Sequence, residues 1–445
     1  MAPGVDVGDT AWMMMATALV ILMTPALGLF YAGLVRSKNT LNTFMMSIAA
    51  LGVATISWAV IGYSLAFGGD GGGVIGNLDH VFLNGVGFDP RDGTTIPQLL
   101  FMAFQGSFCI LTVALVSGAV VERIRFAPYM VFVALWSTLV YPVMAHWVFG
   151  GGFLFDQGTL DFAGGVSVEM ASGFSALAAA MLLGYRKDYG RQALLPHNSV
   201  LVLLGAGLLW FGWFGFNGGS GIGANEIGVL AFTNTLLAPA CTLVGWFALD
   251  LWRGGKVTAV GAATAIIVGC VAITPAAGFI SPMWAMALGL AASVPSYLII
   301  VWLPRTRIDE TLDVLGAHGI AGIFGMLWIG LFAQADWNGI SDGLAYGNPG
   351  QLWDQVLAIL IAPVYAFVVT FVLLKLIGAV SPLRASEKEE AVGMDIVQHG
   401  EEAYVSGEGA ILLKVNSKKT PAELDSDLKS GEVPTLAGAP EKPPA

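Results

Sequence analysis

Charge is scarce in this sequence: Asp, Glu, Lys and Arg make up 11% of the 445 residues, against 56% hydrophobic. A soluble globular domain carries about 25% charge, so that class is excluded. Cysteine is scarcer still. Cys109, Cys241 and Cys270 each sit in an apolar stretch without metal-ligand spacing, which excludes a disulfide framework and reads as small core residues. The five histidines show no zinc spacing. The glycine-rich run at 68–73 has no P-loop lysine, so nothing points to a nucleotide-driven pump. No basic patch is interleaved with aromatics, and nucleic acid is not expected as a partner. The chain reads as a protein that is not an enzyme and needs no metal or cofactor.

What is abundant is apolar length. Uncharged stretches recur along the chain, and with 58 glycines they describe an all-α, polytopic membrane protein embedded in lipid. Eleven spans are expected, at 11–34, 42–67, 97–121, 126–149, 161–184, 197–216, 225–251, 257–277, 282–303, 310–333 and 354–380. The first is no secretory signal, because Asp6 and Asp9 precede it where a basic segment belongs. Arg36, Lys38, Arg123, Arg125, Arg186, Lys187, Arg191, Arg253, Lys256, Arg305 and Arg307 fall in alternate loops, whereas the other set holds only Arg91. Cytoplasmic loops retain Lys and Arg, which places the N-terminus outside and the C-terminus inside.

Two spans carry ionisable groups at mirrored depths. Asp161 and Glu169 lie in DFAGGVSVEMASG, and Glu310 and His318 in ETLDVLGAHGIAG. An offset of 149 residues places Asp161 on Glu310, Glu169 on His318 and Gly173 on Gly322. Such groups are expensive in a bilayer and mark a pathway for an ion, proton or substrate. The fifth span enters from one side and the tenth from the other. Eight residues from each mouth is about 12 Å of helix, so within a core of about 30 Å the two side chains approach each other near the midplane. This is the pattern of an inverted-repeat transporter. Residues 1–196 form the first repeat, 197–335 the second, and 336–383 an outer loop with the eleventh span. Gly164, Gly165, Gly173, Gly316, Gly319, Gly322 and Gly325 read as packing positions that let backbones approach.

The strings GLFYAGLVRSKNTLN at 28–42, FQGSF at 104–108, ERIRF at 122–126, GWFGFNGGS at 212–220, TPAAGF at 274–279, DVLGAHGIAG at 313–322 and GMDIVQHGEEAY at 393–404 resemble those of the ammonium transporter (Amt/Mep/Rh) family. The resemblance runs from about residue 11 to 404. It implies eleven spans, a five-plus-five inverted repeat, and a homotrimer in the plasma membrane with one pore per subunit. It implies an outer ammonium site at Ser220 and Phe104, with Asp161 buried beneath it; Asp161 also reads as a helix cap. Phe149 stands in AHWVFGGG where the family has tryptophan, and a phenyl face binds a cation more weakly than indole. Phe108 and Phe216 match a stacked aromatic gate, and Trp213 a pore-side indole. Glu169 matches a position that is histidine in most bacterial members and glutamate in some fungal ones; with His318 it implies a Glu/His proton relay.

Such a pore solves a selectivity problem. Ammonium and potassium are alike in size and charge, and an apolar lumen repels both by tens of kcal/mol on Born estimates. Ammonium alone gives up a proton, so a lumen that passes ammonia and the proton separately excludes potassium. In the tail, residues 384–404, with Gly393, Asp395, His399, Gly400, Glu401 and Tyr404, resemble the ordered segment through which a PII-type signalling protein acts on bacterial members. Residues 405–445 read as a disordered extension. His80 and His197 sit in loops or at loop ends, and His146 reads as a core histidine. Three functions remain open: electrogenic ammonium uptake as the leading reading, an ammonium sensor with little transport, and a passive electroneutral gas channel.

Overall fold

In a computed structural model, residues 2–69 and 71–404 are described; the expected extension at 405–445 lies outside them. Among the described residues the chain is helical, with no strand beyond isolated bridges at Pro90–Pro97 and Ile124–Arg384. Ten helices among the described residues are long and apolar enough to cross a membrane. The remaining expected span, 257–277, is the shorter helix Ala259–Ile273 of 15 residues. Its end has a local cause: Pro275 has no N–H to continue the ladder and disfavours helix in the residue before it, and the Thr274 hydroxyl turns back to the Cys270 carbonyl at 2.8 Å.

Helix Val7–Leu34 lies along Ser199–Gly219. That contact depends on absent side chains. A Cβ on Gly205 would stand 2.4 Å from the Phe30 nitrogen, and one on Gly212 would stand 2.3 Å from the Met23 side chain. The fifth and tenth spans differ from expectation at their starts. Their helices begin at Gly165 and Leu315, so Asp161 and Glu310 precede the spans instead of opening them. Both carboxylates are occupied with free amides of the first turn, where uncapped N–H groups would otherwise be stranded.

The face bearing the basic loops is tied together by buried charge. Glu122, 1% exposed, accepts from Arg36 Nε at 3.0 Å, Asn39 Nδ2 at 2.8 Å and Arg186 Nη1 at 3.0 Å. Arg186 continues to Asp309 at 2.9 Å. Arg123, fully buried, donates to Thr311 Oγ1 at 2.7 Å and to the Asp309 carbonyl at 2.6 Å. Burial alone would raise the Glu122 carboxyl, but Arg186 and Arg36 outweigh it and hold it at about 2 against an ordinary 4.5. A depressed carboxyl contributes stability that is present above its unfolded value and lost as pH falls through the folded one. Thermal melts of wild type are therefore expected to weaken between about pH 4.5 and pH 2, by on the order of 3 kcal/mol from this residue. In Glu122→Gln that component should be missing, with lower stability already at neutral pH. A melting curve with the same acid dependence in both proteins would contradict the assignment.

Candidate functional site

Phe104 and Phe108 lie one turn apart on helix Gln98–Val116. Their rings meet edge to face, centroids 4.9 Å apart. Phe108 faces Phe216 at 4.3 Å, and Phe216 faces Trp213 at 5.3 Å, with the Trp213 indole fixed by a 2.8 Å bond from Nε1 to Thr274 Oγ1. All four rings are buried. They form a continuous aromatic wall, within which Phe108 and Phe216 are the closest pair. Ser220 ends the helix that carries Phe216. Its hydroxyl donates to the Phe216 carbonyl at 2.8 Å, which leaves the oxygen lone pairs free to accept from a cation.

Asp161 is spent on the backbone. Its Oδ1 accepts from the Gly164 and Gly165 amides at 2.9 and 2.7 Å, and its Oδ2 from the Val166 amide at 2.8 Å. The cap is what turns the chain into the fifth span, and Gly164, at φ +121°, allows the turn. Phe149 is half-buried at the end of helix Tyr141–Phe149. No ring contact joins it to Phe104 or Phe108 among the described residues. The structure thus brings Phe104, Phe108, Phe216, Ser220 and Trp213 together.

Below the aromatic wall is a narrow cavity. Leu27, Leu111, Leu115, Val168, Leu209 and Ile267 make it apolar, and its polar members are Glu169, His318 and Trp213. Glu169 lies in the segment Gly165–Met170 and His318 in Leu315–Ile320, and both segments are π-helical turns. A π turn widens the helix by one residue per ring and is frequent at functional sites. His318 Nδ1 is 2.8 Å from Glu169 Oε2. Both side chains are buried, at 4% and 0% exposure, and Glu169 Oε1 has no hydrogen-bond partner among the described residues. His318 also lines a second small cavity with Phe30, Tyr31, Thr264, Leu312 and Asp313. The pair therefore stands at the junction of two lumenal spaces.

Chemically the pair does one thing well. A carboxylate and an imidazole in hydrogen-bond contact hold and pass a proton, and the apolar walls admit a neutral molecule more readily than an ion. No group of three or more His, Cys, Asp or Glu is placed to hold a metal among the described residues.

The tail residues dock on the first basic loop. Asp395 accepts from the Leu41 and Asn42 amides at 3.0 and 2.8 Å, capping the helix that begins at Thr40. His399 Nε2 is 3.1 Å from Asn42 Oδ1, and burial lowers its proton affinity. Gly393 and Gly400 adopt φ +120° and +71°, and Glu401 is exposed. Tyr404 Oη is 3.0 Å from His197 Nε2, a histidine that had no role from its place at a loop end. His146 is fully buried, with Nδ1 3.0 Å from the Ala66 carbonyl, in keeping with a core residue. Sequence reasoning missed Tyr31 and Asp313, which lie in the second cavity. Only the offset of 149 residues could have pointed to Asp313, by pairing it with Gly164.

Residues 11–404 match the model of the Ammonium Transporter Family. An ammonium transporter of Bacillus subtilis (strain 168) is 44% identical over 402 residues, covering 90% of this chain and 99% of that protein. The structure of Saccharomyces cerevisiae Mep2 is similar with a TM-score of 0.83 at 35% identity, covering 87% of this chain and 89% of that one. A structure described as a sensor Amt protein is similar with a TM-score of 0.82 at 28% identity, over 88% and 98% of the two chains. Sequence match, fold and apolar helices agree: the chain belongs to the ammonium transporter family, a family of multi-pass membrane transporters and not enzymes.

Proposed function

We propose that this protein carries out selective, electrogenic ammonium uptake. The observation that carries the reading is the 2.8 Å contact between Glu169 and His318, buried at the junction of two apolar cavities beneath the Phe108–Phe216 pair. Ammonium is held outside by the Ser220 oxygen and the face of Phe104. It gives up a proton near the aromatic wall, ammonia crosses the apolar lumen, and the proton crosses through Glu169 and His318. Both re-form ammonium on the far side. Potassium has no proton to give and is refused. Asp161 acts in this scheme by fixing the arm that carries Glu169.

The protein works as a homotrimer in the cell membrane, one lumen per subunit, with residues 1–196 and 197–335 as inverted repeats. The basic loops and the docked tail face the cytoplasm in this reading, which the concentration of Arg36, Arg123 and Arg186 on one face supports. A PII-type protein would act through the segment Gly393–Tyr404. A second reading, ammonium sensing, is favoured by one observation: that segment is fastened to the loop at Asn39–Asn42, and the structure titled a sensor Amt protein has the same fold.

Proteoliposomes on a solid-supported membrane decide between these. Transport is expected to give a current that saturates with ammonium and is absent with potassium. Ammonium binding without current would make the protein a sensor. Internal alkalinisation without current would make it a gas channel.

A further inference from the structure

We propose that Asp313 is the proton-release group of the inner cavity, the residue that takes the proton from His318 and delivers it to water on the basic face. The inference rests on the relay reading above. Its first support is the backbone. The offset of 149 residues that pairs Glu169 with His318 also pairs Gly164 with Asp313, and both have left-handed backbones, at φ +121° and +60°. Glycine adopts that region without steric penalty, whereas a side chain there costs on the order of 1 kcal/mol. The arm bearing Glu169 meets the turn with no side chain. The arm bearing His318 meets it with a carboxylate.

The second support is elimination among the acids of that loop. Asp309 is gripped by Arg186 at 2.9 Å, and Glu310, whose Oε2 accepts the Leu315 amide at 3.3 Å and whose Oε1 has no hydrogen-bond partner among the described residues, does not line this cavity. Asp313 bonds only through its main-chain carbonyl, to the Ala317 amide at 2.8 Å, and no donor reaches its carboxylate among the described residues. An aspartate kept only for its turn would use its side chain locally. This one is left to the cavity, which it lines together with His318. The third support is the company it keeps there. The Tyr31 phenol already donates to the Leu115 carbonyl at 3.0 Å, and the other lining groups, Thr264 apart, are apolar. Since Nδ1 of His318 faces Glu169, its Nε2 is the exit toward this space.

The proton balance closes without a co-reactant. One N–H bond of ammonium breaks and nitrogen keeps the electron pair as ammonia. The proton resides on the Glu/His pair, moves from His318 to the Asp313 carboxylate, directly or through one water, and leaves to bulk water, which restores the carboxylate. Ammonia reaching the same water takes up a proton.

The test compares ammonium-induced currents of wild type, Asp313→Asn and Asp313→Glu in proteoliposomes with matched protein content. Asn tolerates the left-handed region, so the first variant keeps the turn and removes the acceptor. Its current is expected to fall by about tenfold or more, within the usual worth of a positioned acid or base, with half-saturation unchanged because Phe104 and Ser220 are untouched. Asp313→Glu, which restores a carboxylate, is expected to recover most of the current. Undiminished current in Asp313→Asn overturns the proposal while leaving the relay standing, and loss in both variants overturns it in favour of a purely structural turn. Wild type without ammonium current overturns the relay and this inference together.

Discussion

Current through Glu169→Gln is expected to fall by on the order of a hundredfold while the protein still folds and assembles. The substitution keeps the shape of the side chain and its hydrogen-bonding capacity toward His318, so packing around a fully buried site is preserved. What disappears is the ability to take a proton. The wild-type carboxylate has one oxygen on His318 and another, Oε1, with no hydrogen-bond partner among the described residues, in a group that lines the cavity below the aromatic wall. That is where a proton released by ammonium would arrive. Solid-supported-membrane currents at saturating ammonium measure the loss, and size exclusion with thermal melting shows that the fold survives. Wild-type current in this variant would mean that the proton travels elsewhere. Glu169→His should restore conduction with a changed pH dependence, because it rebuilds the imidazole pair that the family resemblance implies.

How far the sequence led differs from element to element. Positions of the spans were legible because lipid imposes one requirement on every exposed face, and apolar runs such as 354–380 meet it, the helix there being Pro349–Val380. Where a span ends depends on local chemistry: Pro275 halts the helix that begins at Ala259 near residue 273, short of the expected 277. Asp161 and Glu310 were visible as acids at the mouths, and Asp161 as a cap. That both stand before the helix follows only from the capping bonds. The meeting of Glu169 with His318 was legible from the offset and the bilayer thickness alone. The Phe108–Phe216 pair was different: nothing in periodicity joins the two rings, and only the family strings did. The π turns around the pair had no sequence signal, and in one of them Gly319 packs against the backbone of Gly173 on the other arm. His197 was passed over because its partner, Tyr404, is far along the chain.

That backbone contact sets the last and largest expected effect. A Cβ on Gly173 would lie 2.4 Å from both the Cα and the nitrogen of Gly319, the residue after His318. Across the crossing, a Cβ on Gly322 would lie 2.7 Å from the Cβ of Glu169. Each glycine is thus pressed against the other arm next to its ionisable residue, the reciprocal arrangement that two arms related by the 149-residue offset would make. Gly173→Val sets a branched side chain against main chain, which has no rotamer to escape into. Overpacking of a core typically costs about 1–3 kcal/mol, and the upper end or beyond applies here. We expect little folded protein, seen as loss of the monodisperse peak in size exclusion. Gly322→Ala is milder, since a side-chain stem can shift. It should fold, yet displace Glu169 from the 2.8 Å contact with His318 and reduce ammonium current by about tenfold or more, because misplacing a reacting group by 1 Å has effects of up to about a hundredfold. Normal melting and normal current in both variants would show that the arms do not cross at these glycines, and the proton pair would lose the scaffold on which its geometry depends.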